Sequence, residues 1–246
     1  MDEVRSSSAG AISPSDFLRD SQIGREARPF GNLPKRRYYL VVCEGEETEP
    51  NYFKSLASRL PRGMVDHVVV RGVGMNTLSL VKAAREEIEK RRAARLPPYY
   101  NIWLVFDRDS FPADRFDATI QAVAAIDKKN AKRKPPERWH CAWSNEAFEL
   151  WYVLHFREQL GGAVSRVEFQ RMIEESVRQN TAEKDYCYKK NDPGMFDRLM
   201  PYTIAAVSRS RRTLTVQMKA HGTKWSRMNP ATRVHELVQS LLAYLP

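Results

Sequence analysis

Tyr38-Tyr39-Leu40-Val41-Val42-Cys43-Glu44-Gly45-Glu46-Glu47 decides the fold class. From Tyr38 to Cys43 the run is continuously apolar, rich in aromatic and β-branched side chains and without polar alternation. That is the pattern of a strand buried on both faces of a parallel sheet. It breaks off at carboxylates flanking a glycine, and Thr48-Glu49-Pro50 then looks like a cap with Pro in the first turn of a helix over residues 50–60.

The same alternation repeats downstream. His67-Val68-Val69-Val70 is a short second strand, ending at Arg71-Gly72-Val73-Gly74, where two glycines suit a tight turn or a close backbone approach. Leu78, Val81, Ala84 and Ile88 recur at helical spacing over 77–95. Asn101-Ile102-Trp103-Leu104-Val105-Phe106 is a third buried strand ending in Asp107-Arg108-Asp109, and Phe116, Ile120 and Val123 mark another helix. This order, β-α-β-α-β-α, predicts an α/β fold with a mostly parallel sheet flanked by helices. Right-handed crossovers put both acidic strand ends along one edge of that sheet.

Trp139-His140-Cys141-Ala142-Trp143 reads as a fourth strand. Ser144-Asn145 reads as the cap of a helix over 146–156, Gly161-Gly162 closes that segment, and helical patterns follow over 166–180, 194–220 and 232–245. Residues 1–36 mix Ser, Gly, Pro and Arg without a sustained period and are expected to form a flexible basic arm. The expected organisation is therefore the arm 1–36, an α/β core 37–160, and a mostly helical basic portion 161–246 packed on the core.

The chain has 246 residues, with 42% hydrophobic and 10% aromatic content, enough to build a sizeable core rather than a disordered chain. Forty Lys and Arg against thirty Asp and Glu give a net charge of +10, which favours polyanionic partners, nucleic acid foremost. The 3 cysteines are widely spaced and form no C-x-x-C pair, so neither a zinc site nor a redox couple is indicated. No run approaches the roughly 18 apolar residues of a membrane span, and the first residues lack a signal peptide's apolar segment. A cytoplasmic protein without membrane attachment is expected.

Glu44 at the first strand end and Asp107-x-Asp109 at the third are the leading chemical candidates. Extended i, i+2 spacing would direct Asp107 and Asp109 to the same side. Two carboxylates about 4 Å apart repel by roughly 4 kcal/mol at an effective dielectric near 20, so such a cluster calls for a cation, a shared proton or separation. Hard oxygen ligands without a His or Cys pattern favour Mg²⁺ or Mn²⁺. Strand-end acids are also ordinary turn formers and caps. On the following helix Glu149 is a candidate ligand or base and His155 a phosphate contact or proton donor, against the alternatives of an Arg-paired Glu and a satisfied core His. Lys190, Arg209, Arg211, Arg212, Lys219 and Lys224, interspersed with Tyr188, Tyr202 and Trp225, suit phosphate contacts and base stacking; a solvated helix face is the competing reading.

At these motifs the chain resembles the RloB-like family of restriction-linked and abortive-infection loci in bacteria. The residues that carry the resemblance are Tyr39-Leu40-Val41-Val42-Cys43-Glu44-Gly45-Glu46-Glu47-Thr48-Glu49-Pro50-Asn51-Tyr52-Phe53, Phe106-Asp107-Arg108-Asp109, Ser144-Asn145 with Phe148-Glu149-Leu150-Trp151 and His155-Phe156, Tyr188-x-Lys190, and Asn229-Pro230-x-Thr232-x-Val234. The resemblance implies a Toprim-like, Rossmann-related core in which Glu44 matches the strand-one glutamate and Asp107 and Asp109 the D-x-D pair. It also implies a Mg²⁺-dependent nuclease of DNA or RNA, tRNA included, serving anti-phage defence beside an ATPase partner. The alternative is a non-catalytic subunit of a defence complex that binds nucleic acid or a partner.

Overall fold

The computed structural model describes residues 37–69 and 77–245. The expected arm 1–36 and the Arg71-Gly72-Val73-Gly74 turn lie outside the described residues. Four parallel strands form the sheet in the order β2 (Val65–Val69), β1 (Tyr38–Cys43), β3 (Tyr99–Asp107), β4 (Arg138–Asn145), and a two-residue antiparallel strand β5 (Ala231–Thr232) closes the β4 edge. The helices are α1 (Thr48–Ser58), α2 (Thr77–Ala93), α3 (Ala113–Asn130), α4 (Glu149–Phe156), α5 (Arg166–Asn180), α6 (Met195–Leu199), α7 (Thr203–His221) and α8 (Val234–Leu242).

The absence of polar alternation in β1 has the expected cause, since both faces of the sheet are covered. Tyr39, Val41 and Cys43 face one core with Tyr52 and Phe53 of α1, Trp151 of α4, Phe169 of α5 and Leu237 of α8. Leu40 and Val42 face the other, with Leu80 and Ala84 of α2 and Phe116, Ile120 and Val123 of α3. Residues beyond 160 thus belong to the same core as the strands. Among the described residues no helix is long and apolar enough to cross a membrane.

The sequence reading missed or misplaced several elements. Thr48 already lies within α1, and no side-chain cap precedes it, although Pro50 does fall in the first turn. Ser144 and Asn145 do not cap a helix; they are the last residues of β4, and α4 begins only at Glu149. Their polar side chains serve the strand pairing instead. Ser144 Oγ lies 3.0 Å from Thr232 Oγ1, and the Asn145 amide donates to the carbonyls of Trp225 and Ser226 at 3.3 and 3.0 Å. The single helix expected over 232–245 is β5 followed by α8, because Ala231 and Thr232 pair with Asn145 and Ser144.

α4 is unusual for a short helix because every residue from Glu149 to His155 is buried. Apolar side chains all round a helix put it in a core. It packs between α5 and α7, and Arg209 of α7 satisfies two of its last carbonyls, donating to Leu154 O at 2.9 Å and His155 O at 2.7 Å. α5 starts with a reciprocal capping box: Ser165 Oγ accepts from the Glu168 amide, and the Glu168 carboxylate accepts from the Ser165 amide.

Candidate active site

The parallel strands β1 and β3 end side by side, where the Glu44 amide donates to the Val105 carbonyl at 3.0 Å. Asp107 is the last residue of β3 and is 3% exposed. The strand does not stay extended through Asp109, because Arg108–Ser110 is a single 3-10 turn. The two aspartates nevertheless converge, and the group that joins them is Arg166. Its Nη2 donates to Asp107 Oδ2 at 2.9 Å, its Nη1 lies 2.8 Å from Asp109 Oδ2, and its Nε lies 3.6 Å from Glu149 Oε2.

Glu149 enters the cluster through the peptide that precedes it. Asp107 Oδ2 also accepts from the Phe148 amide at 3.0 Å, which ties the end of β3 to the start of α4. The adjacent Glu149 carboxylate is thereby held in the site, where Oε1 accepts from the Tyr188 hydroxyl at 3.2 Å. Glu49 in the first turn of α1 completes the group. Its carboxylate packs against Gly45 so closely that a Cβ there would displace it, so any side chain at position 45 would move the Glu49 carboxylate.

The electrostatics follow from burial. Burial pushes the Asp107 carboxyl well up, Glu49 pushes it further, and Arg166 pulls it back. Burial raises Glu49 to about 7, with Glu149 adding to the effect. Burial disfavours the charged form of Arg166, but Asp107, Glu149, Asp109 and Glu49 outweigh that penalty and raise its pKa. One guanidinium therefore faces four carboxylates, and Asp107 Oδ1 is buried without a hydrogen-bond partner among the described residues. This all-oxygen donor set with a buried, under-satisfied carboxylate suits a hard divalent cation. As arranged, though, no group of three or more His, Cys, Asp or Glu side chains among the described residues forms a ready metal cage. The middle of the cluster is held by Arg166.

The C-terminal segment positions this centre. The Asn229 amide clamps the backbone of Val164 from both sides, accepting from its N–H at 3.2 Å and donating to its carbonyl at 3.3 Å. Val164 lies two residues before Arg166, so the clamp fixes where the guanidinium is launched.

A family model described as RloB-like protein matches residues 39–241. The chain belongs to the RloB-like family. No curated protein and no solved structure gives a significant match to it. The matched span runs from β1 into α8, so it contains every carboxylate of the cluster, Arg166 and the Asn229 clamp.

The other residues selected from the RloB-like sequence divide sharply. His155 is fully buried, its Nδ1 lies 2.8 Å from the Trp151 carbonyl, and burial lowers its pKa to about 3. An imidazole held neutral in the core between Trp151 and Tyr52 neither reaches a substrate phosphate nor donates a proton to one. Arg209 is spent on the end of α4 and is not a surface phosphate contact. Arg211 donates to Gln239, and Arg212 pairs with Glu158 at 2.5 Å and with Ser208 at 2.9 Å. Lys190, Lys219 and Lys224 are exposed. Tyr188 serves Glu149, and Trp225 packs against the second core.

Sequence reasoning did not select Arg166 or Glu49 for the site. A single arginine opening a helix carries no pattern of its own, and Glu49 reads as a first-turn acid. The one available signal was the surplus of acids at the strand ends, which demands a cation from elsewhere in the chain.

Proposed function

We propose that this RloB-like protein is a Toprim-type nuclease that uses Mg²⁺ or Mn²⁺ to cleave phosphodiester bonds of DNA or RNA, tRNA included. We place it in bacterial anti-phage defence of the abortive-infection kind, with an ATPase partner controlling it. The observation that carries this reading is the convergence of Asp107, Asp109, Glu149 and Glu49 at the carboxyl ends of parallel strands, where open α/β sheets bind ligands. Glu44 stands at the neighbouring strand end. Asp107, Asp109 and Glu149, with Glu44 beside them, would hold the cation.

Such an ion polarises a phosphate and lowers the pKa of water. The chain's own residues do the rest. Phe148 and Tyr188 orient Asp107 and Glu149 through hydrogen bonds, which fixes the direction of their oxygens. Burial lowers the local dielectric, so these oxygens would attract an entering cation more strongly than they would in water. The excess of Lys and Arg attracts the polyanion.

Purified protein is to be incubated with tRNA, single-stranded DNA and duplex DNA in Mg²⁺ or Mn²⁺, alongside Asp107→Asn and a chelator. Metal-dependent cutting that falls at least about 100-fold in Asp107→Asn, with little change in thermal midpoint, is the expected result. Cutting that survives in the repurified variant would remove this site from consideration.

A second reading, a subunit that binds nucleic acid or a partner without cleaving, is favoured by one observation. The cluster already contains its own cation in Arg166. That reading expects salt-sensitive binding that is indifferent to Asp107→Asn and no cleavage with any metal.

A further inference from the structure

We propose that Arg166 is an exchangeable counter-cation, occupying the carboxylate centre until a divalent ion replaces it, so that the two compete for Asp107, Asp109 and Glu149. The inference rests on the metal-dependent reading above and adds what the site does before the metal arrives.

Three observations carry it. The guanidinium engages the same oxygens that a hard cation would need, at 2.9 Å from Asp107, 2.8 Å from Asp109 and 3.6 Å from Glu149. The fit is incomplete, because Arg166 Nε and Asp107 Oδ1 are both buried without a hydrogen bond among the described residues. The side chains also differ in access: Asp107 and Glu149 are 4% and 2% exposed, Arg166 31%. Asp107 and Glu149 lie in the floor, Asp109 at 20% lies nearer the rim, and the guanidinium is the most open of the four groups.

The tether suits a side chain that swings while its backbone stays. Ser165 and Glu168 cap the helix that begins at Arg166, and Asn229 clamps Val164, so the Cα is held on both sides. Movement is then confined to the side-chain torsions. Removing the guanidinium without replacement leaves buried carboxylates uncompensated, which is strongly unfavourable, so Arg166 departs only in exchange for another cation. An ion that binds must displace the arginine, and its apparent affinity is reduced by the fraction of time the centre is already taken.

Mn²⁺ binding is to be measured by calorimetry and by loss of the free-ion electron paramagnetic resonance signal, with no substrate present. The proteins are wild type, Arg166→Met, Arg166→Lys, and Arg166→Met combined with Asp107→Asn. Arg166→Met is expected to bind Mn²⁺ roughly tenfold or more tighter than wild type. Arg166→Lys, which keeps a charge but loses the fork, should fall between them. The double variant should lose the gain, and the thermal midpoint of Arg166→Met should drop without metal and recover with it.

Equal affinity in wild type and Arg166→Met would overturn the exchange while leaving the metal site standing. Binding by neither protein would take away both the exchange and the metal-dependent reading. If Arg166→Met does not fold, Arg166→Lys decides alone: an affinity no higher than wild type overturns the proposal.

Discussion

His155 and His235 show how a residue type misleads when its surroundings are not visible. Both carry the chemistry of a proton shuttle, yet burial lowers them to about 3 and about 4. His235 is held by Ser210 Oγ at 2.8 Å and Thr232 O at 3.2 Å, a neutral arrangement inside the core. In the unfolded chain each imidazole takes up a proton near 6.5. Their contribution to stability is therefore complete above about pH 6.5 and is lost as the pH falls toward the folded values. The slope is at most about 1.4 kcal/mol per pH unit for each imidazole. The raised Glu49 and Asp107 carboxyls act in the opposite sense over the same range, so the rings are read by difference: between pH 6.5 and pH 5 the thermal midpoint of wild type should fall relative to that of His235→Gln. A constant difference between wild type and His235→Gln from pH 7 to pH 5 would show that the His235 ring is not kept neutral by burial. The acids behaved differently from the histidines. Asp107 and Asp109 could be chosen from sequence because a carboxylate at a strand end has a defined place, whereas His155, in a helix buried all round, had no pattern to say which way it faced.

Strands and helices with a clear period were readable: β1, β3 and α5 lie close to where their apolar runs or helical spacing put them. The misplaced elements are those made by partners distant in the chain. β5 is only two residues long, and its existence depends on Ser144 and Asn145 meeting Thr232 and Ala231. Ser and Asn before an apolar run read locally as a cap, but the tertiary pairing overrides that preference. The Asn229 clamp is of the same kind, joining residues 65 positions apart. Asn229→Ala should cost about 1–2 kcal/mol of stability by removing both hydrogen bonds. It should also speed amide exchange at Val164 and the start of α5. Unchanged exchange at Val164 would mean that the loop before Arg166 is held by something else.

Across the molecule, the +10 charge was read from composition alone, but its use depends on which cations are already engaged. Arg209, Arg211 and Arg212 have protein partners, so the exposed Lys190, Lys219 and Lys224 are the better candidates for binding phosphates. Replacing these three lysines with Ala should weaken nucleic-acid binding and reduce the salt slope by about 0.7–0.9 for each phosphate that is no longer neutralised. Arg209→Ala should instead lower the thermal midpoint by freeing the end of α4, leaving the slope alone. A slope unmoved by the lysine changes would place the binding surface elsewhere.

The late arrival of β5 has a consequence for a ribosome making this protein. Ser144 waits 88 residues for Thr232. At about 5–20 residues per second that is roughly 4–18 s of synthesis. During this interval β4 lacks its edge partner, and until α5 emerges the acids at the strand ends lack Arg166. A nascent chain therefore acquires its acids first, its arginine next and the Asn229 clamp last. The sheet edge and the anchor of the arginine are thus finished together, well after the acids they surround.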